Sequence, residues 1–434
     1  MTTKIARINQ IAKERPKEIF TSIYHLINYE LLKECYEELD GSKATGLDKV
    51  TKDMYLMNLD ENLNNLVDKL KTKSYRPSPA RKVNIPKANG KLRSLAIADF
   101  EDKIVQCAVK KLIEAIWEPK FLNNTFGFRA HRSCHDCLRY LNYCIENRYT
   151  NFILDADIKG YFDNINHDML MKCLEKHIKD TNLLRLIKRF LKAGIMENGE
   201  YIKGEVGTPQ GSILSPVLAN IYMYYTLIAW FEIKIKPKYY GFIEIINYAD
   251  DMVICFQYEN VAKAVYKEMQ ARLKLCGLEF AEDKTRLIEF GRFASENRNK
   301  RGQGKPDTFD FLGVTHYCSK SNKTGKFRVK RKTSKKKLKR KIQEFKIWIK
   351  SNRNVPLKDI METVKRKLTG HYNYYGITDN IDGIARYYYE INRLLFKWLN
   401  RRSQKRSYDW NGFSQMIEVF KLPTPKIKVN IYAI

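Results

Sequence analysis

The segment Gly241-Phe242-Ile243-Glu244-Ile245-Ile246-Asn247-Tyr248-Ala249-Asp250-Asp251-Met252-Val253-Ile254-Cys255-Phe256 constrains the fold more than any other stretch of the chain. β-Branched and aromatic residues on both sides favour extended backbone, and the polar pair between them falls where a tight turn belongs. The sequence therefore predicts an apolar β-hairpin with two adjacent carboxylates at its tip. Such a pair repels itself and costs stability unless solvent or a cation offsets it. A divalent metal is the usual reason to hold two carboxylates at one point. Asp is also a common turn residue, so the doublet alone decides nothing.

A third acid comes from Phe152-Ile153-Leu154-Asp155-Ala156-Asp157-Ile158-Lys159-Gly160-Tyr161-Phe162-Asp163, which predicts a strand running into a turn. Asp155 and Asp157 fall on the same face of that strand, and alternation does not choose between them. Between the strand and the hairpin lies Gly207-Thr208-Pro209-Gln210-Gly211-Ser212-Ile213-Leu214-Ser215-Pro216, a Gly/Pro loop leading into a helix that contains Leu214 to Tyr225. Earlier, residues 81–97 predict a β-hairpin carrying Lys87 and Arg93, turning at Ala88-Asn89-Gly90. A long helix comes next, with Ile104, Val105, Ala108, Leu112, Ile113 and Ile116 on one face.

Charge narrows the partners. Lys and Arg number 79 against 49 Asp and Glu, a formal net charge of +30, which points to a polyanion. The 27 tyrosines and 21 phenylalanines add stacking surface, so nucleic acid fits better than an anionic membrane. No run of about 18 apolar residues appears and the N-terminus lacks a signal-peptide core, so a soluble, cytoplasmic protein is expected. Residues 318–343 hold 13 Lys or Arg and no acid, with Leu338, Ile342, Phe345 and Ile349 at helical spacing. This reads as a phosphate-binding helix with one packed face. Nine cysteines form no disulfide framework, and Cys134 and Cys137 read as thiols on a helix rather than metal ligands.

These motifs, in this order, resemble the reverse transcriptases encoded by bacterial group II introns, the intron maturases. The resemblance rests on Gly46-Leu47-Asp48, Ile85-Pro86-Lys87 with Arg93, Phe126-Gly127-Phe128-Arg129, the Asp157 strand, Gly207 to Pro216, Tyr248 to Asp251, Gly277-Leu278 through Lys284, and Phe311-Leu312-Gly313. It implies an α+β right-hand polymerase with fingers, an antiparallel-sheet palm and a helical thumb. The family pattern places the first catalytic aspartate five residues before a bulky ring. Asp157 and Phe162 meet it, so Asp157 joins Asp250 and Asp251 as ligands of two Mg²⁺, with Mn²⁺ tolerated. Of the doublet, Asp250 is the firmer ligand.

The resemblance also implies that Lys87 and Arg93 grip the triphosphate and that Phe162 lies beneath the sugar. Gln210 and Tyr248 line the nucleotide site, and Lys284 protonates the pyrophosphate. Arg129, Arg132, Lys335, Lys336, Lys339 and Arg340 are expected on nucleic acid. The implied partners are an RNA template, a DNA or RNA primer, dNTPs, group II intron RNA and target DNA.

The expected domains are an N-terminal helical extension (1–75), fingers and palm (76–317), a basic helical thumb (318–400) and a basic tail (401–434). The Gly370-His371-Tyr372-Asn373-Tyr374-Tyr375 run is expected in the thumb core. Neither Cys nor His occurs after His371, so no HNH endonuclease is expected. The alternatives are a non-catalytic RNA-binding maturase and a reverse transcriptase domesticated in antiphage defence or beside a CRISPR system.

Overall fold

The computed structural model describes residues 3–86, 92–404 and 407–433. The tip of the basic hairpin, with Lys87, lies outside them.

Four helices open the chain: α1 (Thr3–Glu14), α2 (Tyr29–Glu38), α3 (Lys52–Leu56) and α4 (Leu59–Lys71). Asn28 and Thr51 cap the second and third by accepting from the third backbone N–H beyond them. Their apolar stripes, including Ile5, Leu32 and Leu66, share one core with α5 (Phe100–Trp117). The first 75 residues are thus packed onto the polymerase-like region rather than standing apart from it. The predicted basic hairpin is β1 (Ala80–Pro86) and β2 (Leu92–Ile97), antiparallel with Ile85 opposite Arg93.

After α6 (Cys134–Asn147) comes β3 (Phe152–Asp157), then α7 (His167–Leu174), α8 (Thr181–Lys192) and the small strands β4 (Ile195–Glu197) and β5 (Glu200–Ile202). All nine cysteine thiols are free, and Cys137 is buried on α6, as expected. The helix predicted over 214–225 is α9 (Ser215–Met223), which continues in π-helical turns to Ile235. The acidic hairpin is β6 (Ile243–Tyr248) and β7 (Asp251–Phe256), succeeded by α10 (Glu259–Leu275) and β8 (Arg286–Glu289). These strands form one antiparallel sheet in the order β6-β7-β3-β8. One face, with Leu154, Met252 and Ile254, closes the N-terminal core. The other, with Ile153, Val253 and Cys255, closes a second core that reaches to Ile431. Both faces are covered, which explains why the hairpin arms are apolar almost throughout instead of alternating.

The region beyond departs from expectation in two ways. After α11 (Ala294–Lys300), the strands β9 (Phe309–Phe311), β10 (Val314–Lys320) and β11 (Phe327–Thr333) make a separate sheet. The expected boundary at 318 therefore cuts through β10, and residues 318–333 are a hairpin rather than helix. Arg331, counted within the cationic run, is fully buried and bonds to Asn142 and the Val329 carbonyl. The expected helix starts at Lys335 as α12 (Lys335–Asn352), and α13 (Leu357–Tyr375) and α14 (Ile381–Leu399) pack around it. His371, Tyr372 and Tyr375 are buried as expected, whereas Tyr374 is exposed.

The second departure is the tail. Residues 410–419 form α15 (Trp410–Val419), and the end of the chain folds back onto the second core. Val429 bridges to Ile377, Ile431 is fully buried, and the Tyr432 hydroxyl bonds to Asp379 and the Val329 carbonyl. The basic tail is a packed strap.

Candidate active site

The β6–β7 connection is a two-residue turn, Ala249-Asp250, closed by Tyr248 opposite Asp251. Ala249 has φ +58, a strained choice for a residue with a Cβ, and its surroundings hold it there. The Asn247 side-chain amide donates to the Ala249 carbonyl (3.0 Å), and the Phe126 N–H donates to the Asn247 carbonyl (3.0 Å). Gly127 presses directly on the turn: a Cβ there would stand 2.2 Å from the Ala249 nitrogen. The Phe126-Gly127-Phe128 motif thus braces the acidic turn, a role the sequence alone did not mark.

Register separates the two candidate acids of β3. Asp157 sits directly across from Asp251, whereas Asp155 lies opposite Val253 and beside Arg286 of β8. The Arg286 guanidinium is 3.6 Å from the Asp155 carboxylate. Asp157 instead takes an ion pair from Lys284, which ends a short turn anchored by the Ala281 N–H on the Asp157 carbonyl (2.7 Å). Asp157, Asp250, Asp251 and Lys284 therefore meet at one end of the sheet.

The electrostatics are those of crowded acids. Asp251 is pushed up to about 6, first by the surrounding protein and then by Asp250 and Asp157. Asp251 itself is exposed at the strand end, so the crowding by protein around it is one-sided. Asp250 is raised by burial and by Asp157, with Arg93 and Lys284 opposing. The charge of the β2 residue Arg93 thus reaches the acidic turn. So does Lys337 of α12, whose charge lowers Asp251 and which sequence reasoning had not singled out.

The other expected residues fall into place unevenly. Phe162, partly buried, meets Phe128 edge-on with ring centroids 6.3 Å apart. The Gln210 carbonyl accepts from the Ala96 N–H (2.7 Å), and the Thr208 N–H donates to the Phe162 carbonyl (2.8 Å), so the Gly/Pro loop ties the basic hairpin to the turn after β3. Tyr248 packs partly buried against the second core. Arg132 is half exposed over the Phe126 ring. Lys335, Lys336, Lys339 and Arg340 all stand exposed on α12, Arg340 paired with Glu344 at 2.6 Å.

Arg129 is a correction. It is buried, with its guanidinium bonded to Glu118 (2.7 Å), the Leu122 carbonyl (2.7 Å) and Thr125 (2.8 Å). With its donors satisfied inside the protein, it holds the 118–129 loop and offers nothing to a template phosphate.

Comparison with known proteins decides the family. Residues 85–316 match the model of the reverse transcriptase (RNA-dependent DNA polymerase) family, and residues 335–414 match the group II intron maturase-specific domain. The chain belongs to the group II intron reverse transcriptase and maturase family. It is 32% identical over 304 residues to the group II intron-encoded protein LtrA of Lactococcus lactis subsp. cremoris, spanning 67% of this chain and 50% of that one. It is 39% identical over 185 residues to protein YkfC of Escherichia coli K12, spanning 42% and 48%. The chain thus spans about half the length of these relatives. Among solved structures, a telomerase from Candida albicans superposes at TM-score 0.43 with 12% identity, over 87% of this chain and 68% of that one.

Reverse transcriptase family membership implies a divalent metal, and the chemistry of the residues present tests whether they suit one. Three carboxylates from two neighbouring strand ends supply the hard oxygen donors that Mg²⁺ takes, and their mutual repulsion is what such an ion would relieve. Among the described residues they do not close around a common point as a preformed metal site does. Asp157 is held by Lys284 instead. The donor set fits, with Lys284 as the group that must yield. Among the described residues, no helix is long and apolar enough to cross a membrane.

Proposed function

We propose that this chain extends a primer 3′-hydroxyl with dNTPs on an RNA template, and that it binds its group II intron RNA to assist splicing and mobility. The observation that carries the reading is the register of β3 on β7, which sets Asp157 opposite Asp251, next in sequence to Asp250. An acid 93 residues upstream of the doublet thus joins it at one strand end, where nothing in the packing calls for three carboxylates.

In this reading Asp157, Asp250 and Asp251 hold two Mg²⁺. Bound there, the metal pair supplies an acidified 3′-hydroxyl and charge neutralisation for the triphosphate and leaving pyrophosphate. Lys284 leaves Asp157 for the leaving pyrophosphate and can give it a proton. Arg93, whose charge already acts on Asp250, grips the triphosphate together with Lys87. Phe162 lies under the sugar, where its ring leaves no space for a 2′-hydroxyl. The central sheet then serves as palm, β1 and β2 as fingers and α12–α14 as thumb, with Lys335, Lys336, Lys339 and Arg340 tracking phosphates.

The test is primer extension on an RNA template with Mg²⁺. Asp250→Ala with Asp251→Ala should lose extension by at least about 10³ while RNA affinity changes little. Asp155→Asn should extend nearly as the wild type does. Normal extension by the double variant would refute the assignment.

A further inference from the structure

The faces of α12 and α13, with Tyr387 of α14, line an open cavity of about 530 Å³, within the roughly 300–1,000 Å³ range of small-ligand sites. Its wall carries five cations, Lys337, Arg340, Lys341, Arg366 and Lys367, against the single carboxylate of Glu344. That carboxylate is already engaged by Arg340 at 2.6 Å and Lys341 at 3.4 Å. The floor is aromatic: His371 stacks on Tyr387 with centroids 3.8 Å apart and lies 4.8 Å from Tyr375. A cationic rim over a ring-lined floor suits a ligand with both a phosphate and a flat base.

Gly370 is the second, independent sign. It lies inside α13, more than a turn from either cap, where glycine is among the least favourable residues for a helix. Elsewhere in these helices the reason for a glycine is visible. A Cβ on Gly383 of α14 would stand 2.2 Å from the Asn380 side-chain oxygen and 2.8 Å from that of Thr333. Around Gly370, outside its own helix, no heavy atom of the described residues lies within 4 Å of where a Cβ would stand. Nothing in the fold needs that space, and the space belongs to the cavity. A bare backbone facing an open, charged cavity is what a closely approaching ligand requires.

We infer that this cavity receives one unpaired nucleotide of the bound RNA, its base over Gly370 against the exposed Tyr374 ring, with the buried His371 and Tyr387 pair behind, and its phosphate on Lys341, Arg366 and Lys367. Every lining residue falls within the segment matched by the maturase-specific model and none within the polymerase match, which favours intron RNA over the primer strand as the source. The site rests on the proposed RNA-binding role but is separate from the catalytic acids. Lys337 links the two, since it lines the cavity and its charge also acts on Asp251.

Binding of an RNA hairpin with a single-nucleotide bulge, measured against the same hairpin fully paired and against its bulged DNA counterpart, tests the inference. The wild type should prefer the bulged RNA by roughly five- to a hundredfold, the range of one stacked base. Gly370→Ala should raise or preserve Tm, abolish that preference and keep the affinity for paired RNA. Arg366→Gln with Lys367→Gln, both exposed, should reduce the preference without touching the helix interior. Failure of the wild type to bind any RNA would remove the underlying reading. Paired and bulged RNA bound equally by the wild type, or a preference that survives Gly370→Ala, would overturn the cavity alone. Equal or tighter binding of the bulged DNA would overturn its assignment to RNA.

Discussion

The tip of β6–β7 and the first turns of α12 both crowd like charges, but the fold holds them differently. Asp250 and Asp251, with Asp157 opposite, sit on strand ends whose sheet is covered on both faces, so the carboxylates cannot spread apart. Burial first and their mutual repulsion second raise the proton affinity, with Asp251 pushed up to about 6. Lys335, Lys336 and Lys339 stand on the exposed side of a helix anchored by Leu338, Phe345 and Ile349, where solvent and salt screen them. A rigid, half-desolvated acid cluster calls for compact cations at fixed positions. A flexible, exposed basic face meets a diffuse polyanion.

The largest expected effect concerns the basic face. RNA affinity should fall by about 10³ between roughly 50 and 200 mM salt if six or more phosphates are contacted. Replacing Lys335, Lys336 and Lys339 by Gln should flatten the log–log salt slope by about one per lysine. Fluorescence anisotropy across a salt series measures both, and an unchanged slope would detach α12 from RNA.

Arg129 comes next. Arg129→Gln leaves Glu118 without its partner and should cost about 3 kcal/mol of stability, as breaking a buried pair does. Template affinity, measured where both proteins are folded, should hold. A variant of normal urea midpoint that loses template would restore the nucleic-acid contact that the sequence suggests for this residue.

The smallest effect is a contrast in pH response. Burial, with Lys341 nearby, lowers His371 from 6.5 to about 4. The unfolded chain therefore binds more protons between those values, and stability from this group is complete above about 6.5 and lost as pH falls toward 4. Asp251 has the opposite sign: raised from 3.8 to about 6, it costs stability as pH rises through that window. His371→Phe should reduce the acid-side loss by on the order of 2 kcal/mol, read from urea midpoints at pH 7 and 4.5. An unaltered difference between the two pH values would show that His371 is not the group responsible.

Much of this was legible in the residues. The apolar hairpin with its acidic tip, the basic hairpin and the helix over 100–117 come from local preference and periodicity. The choice between Asp155 and Asp157 was not, because both share a face and only the cross-strand partners, Arg286 and Asp251, tell them apart. Arg129 misled because its partner Glu118 belongs to a loop whose closure no local pattern announces. The strand over 327–333 was hidden by its charge: Val329, Arg331 and Thr333 point inward in strict alternation, but one of the three is an arginine. The packing of the basic tail was not legible, because Val429 and Ile431 find their partners only in the folded second core.

The most direct test of the acidic cluster as a metal-dependent polymerase centre is a manganese(II) titration monitored by EPR. It would be run on the protein bound to primer, RNA template and a non-hydrolysable dNTP. The wild type and Asp155→Asn should each bind two ions per complex, and Asp157→Asn and Asp250→Asn should lose at least one. Equal stoichiometry and affinity in all four proteins would contradict the central role given to Asp157, Asp250 and Asp251.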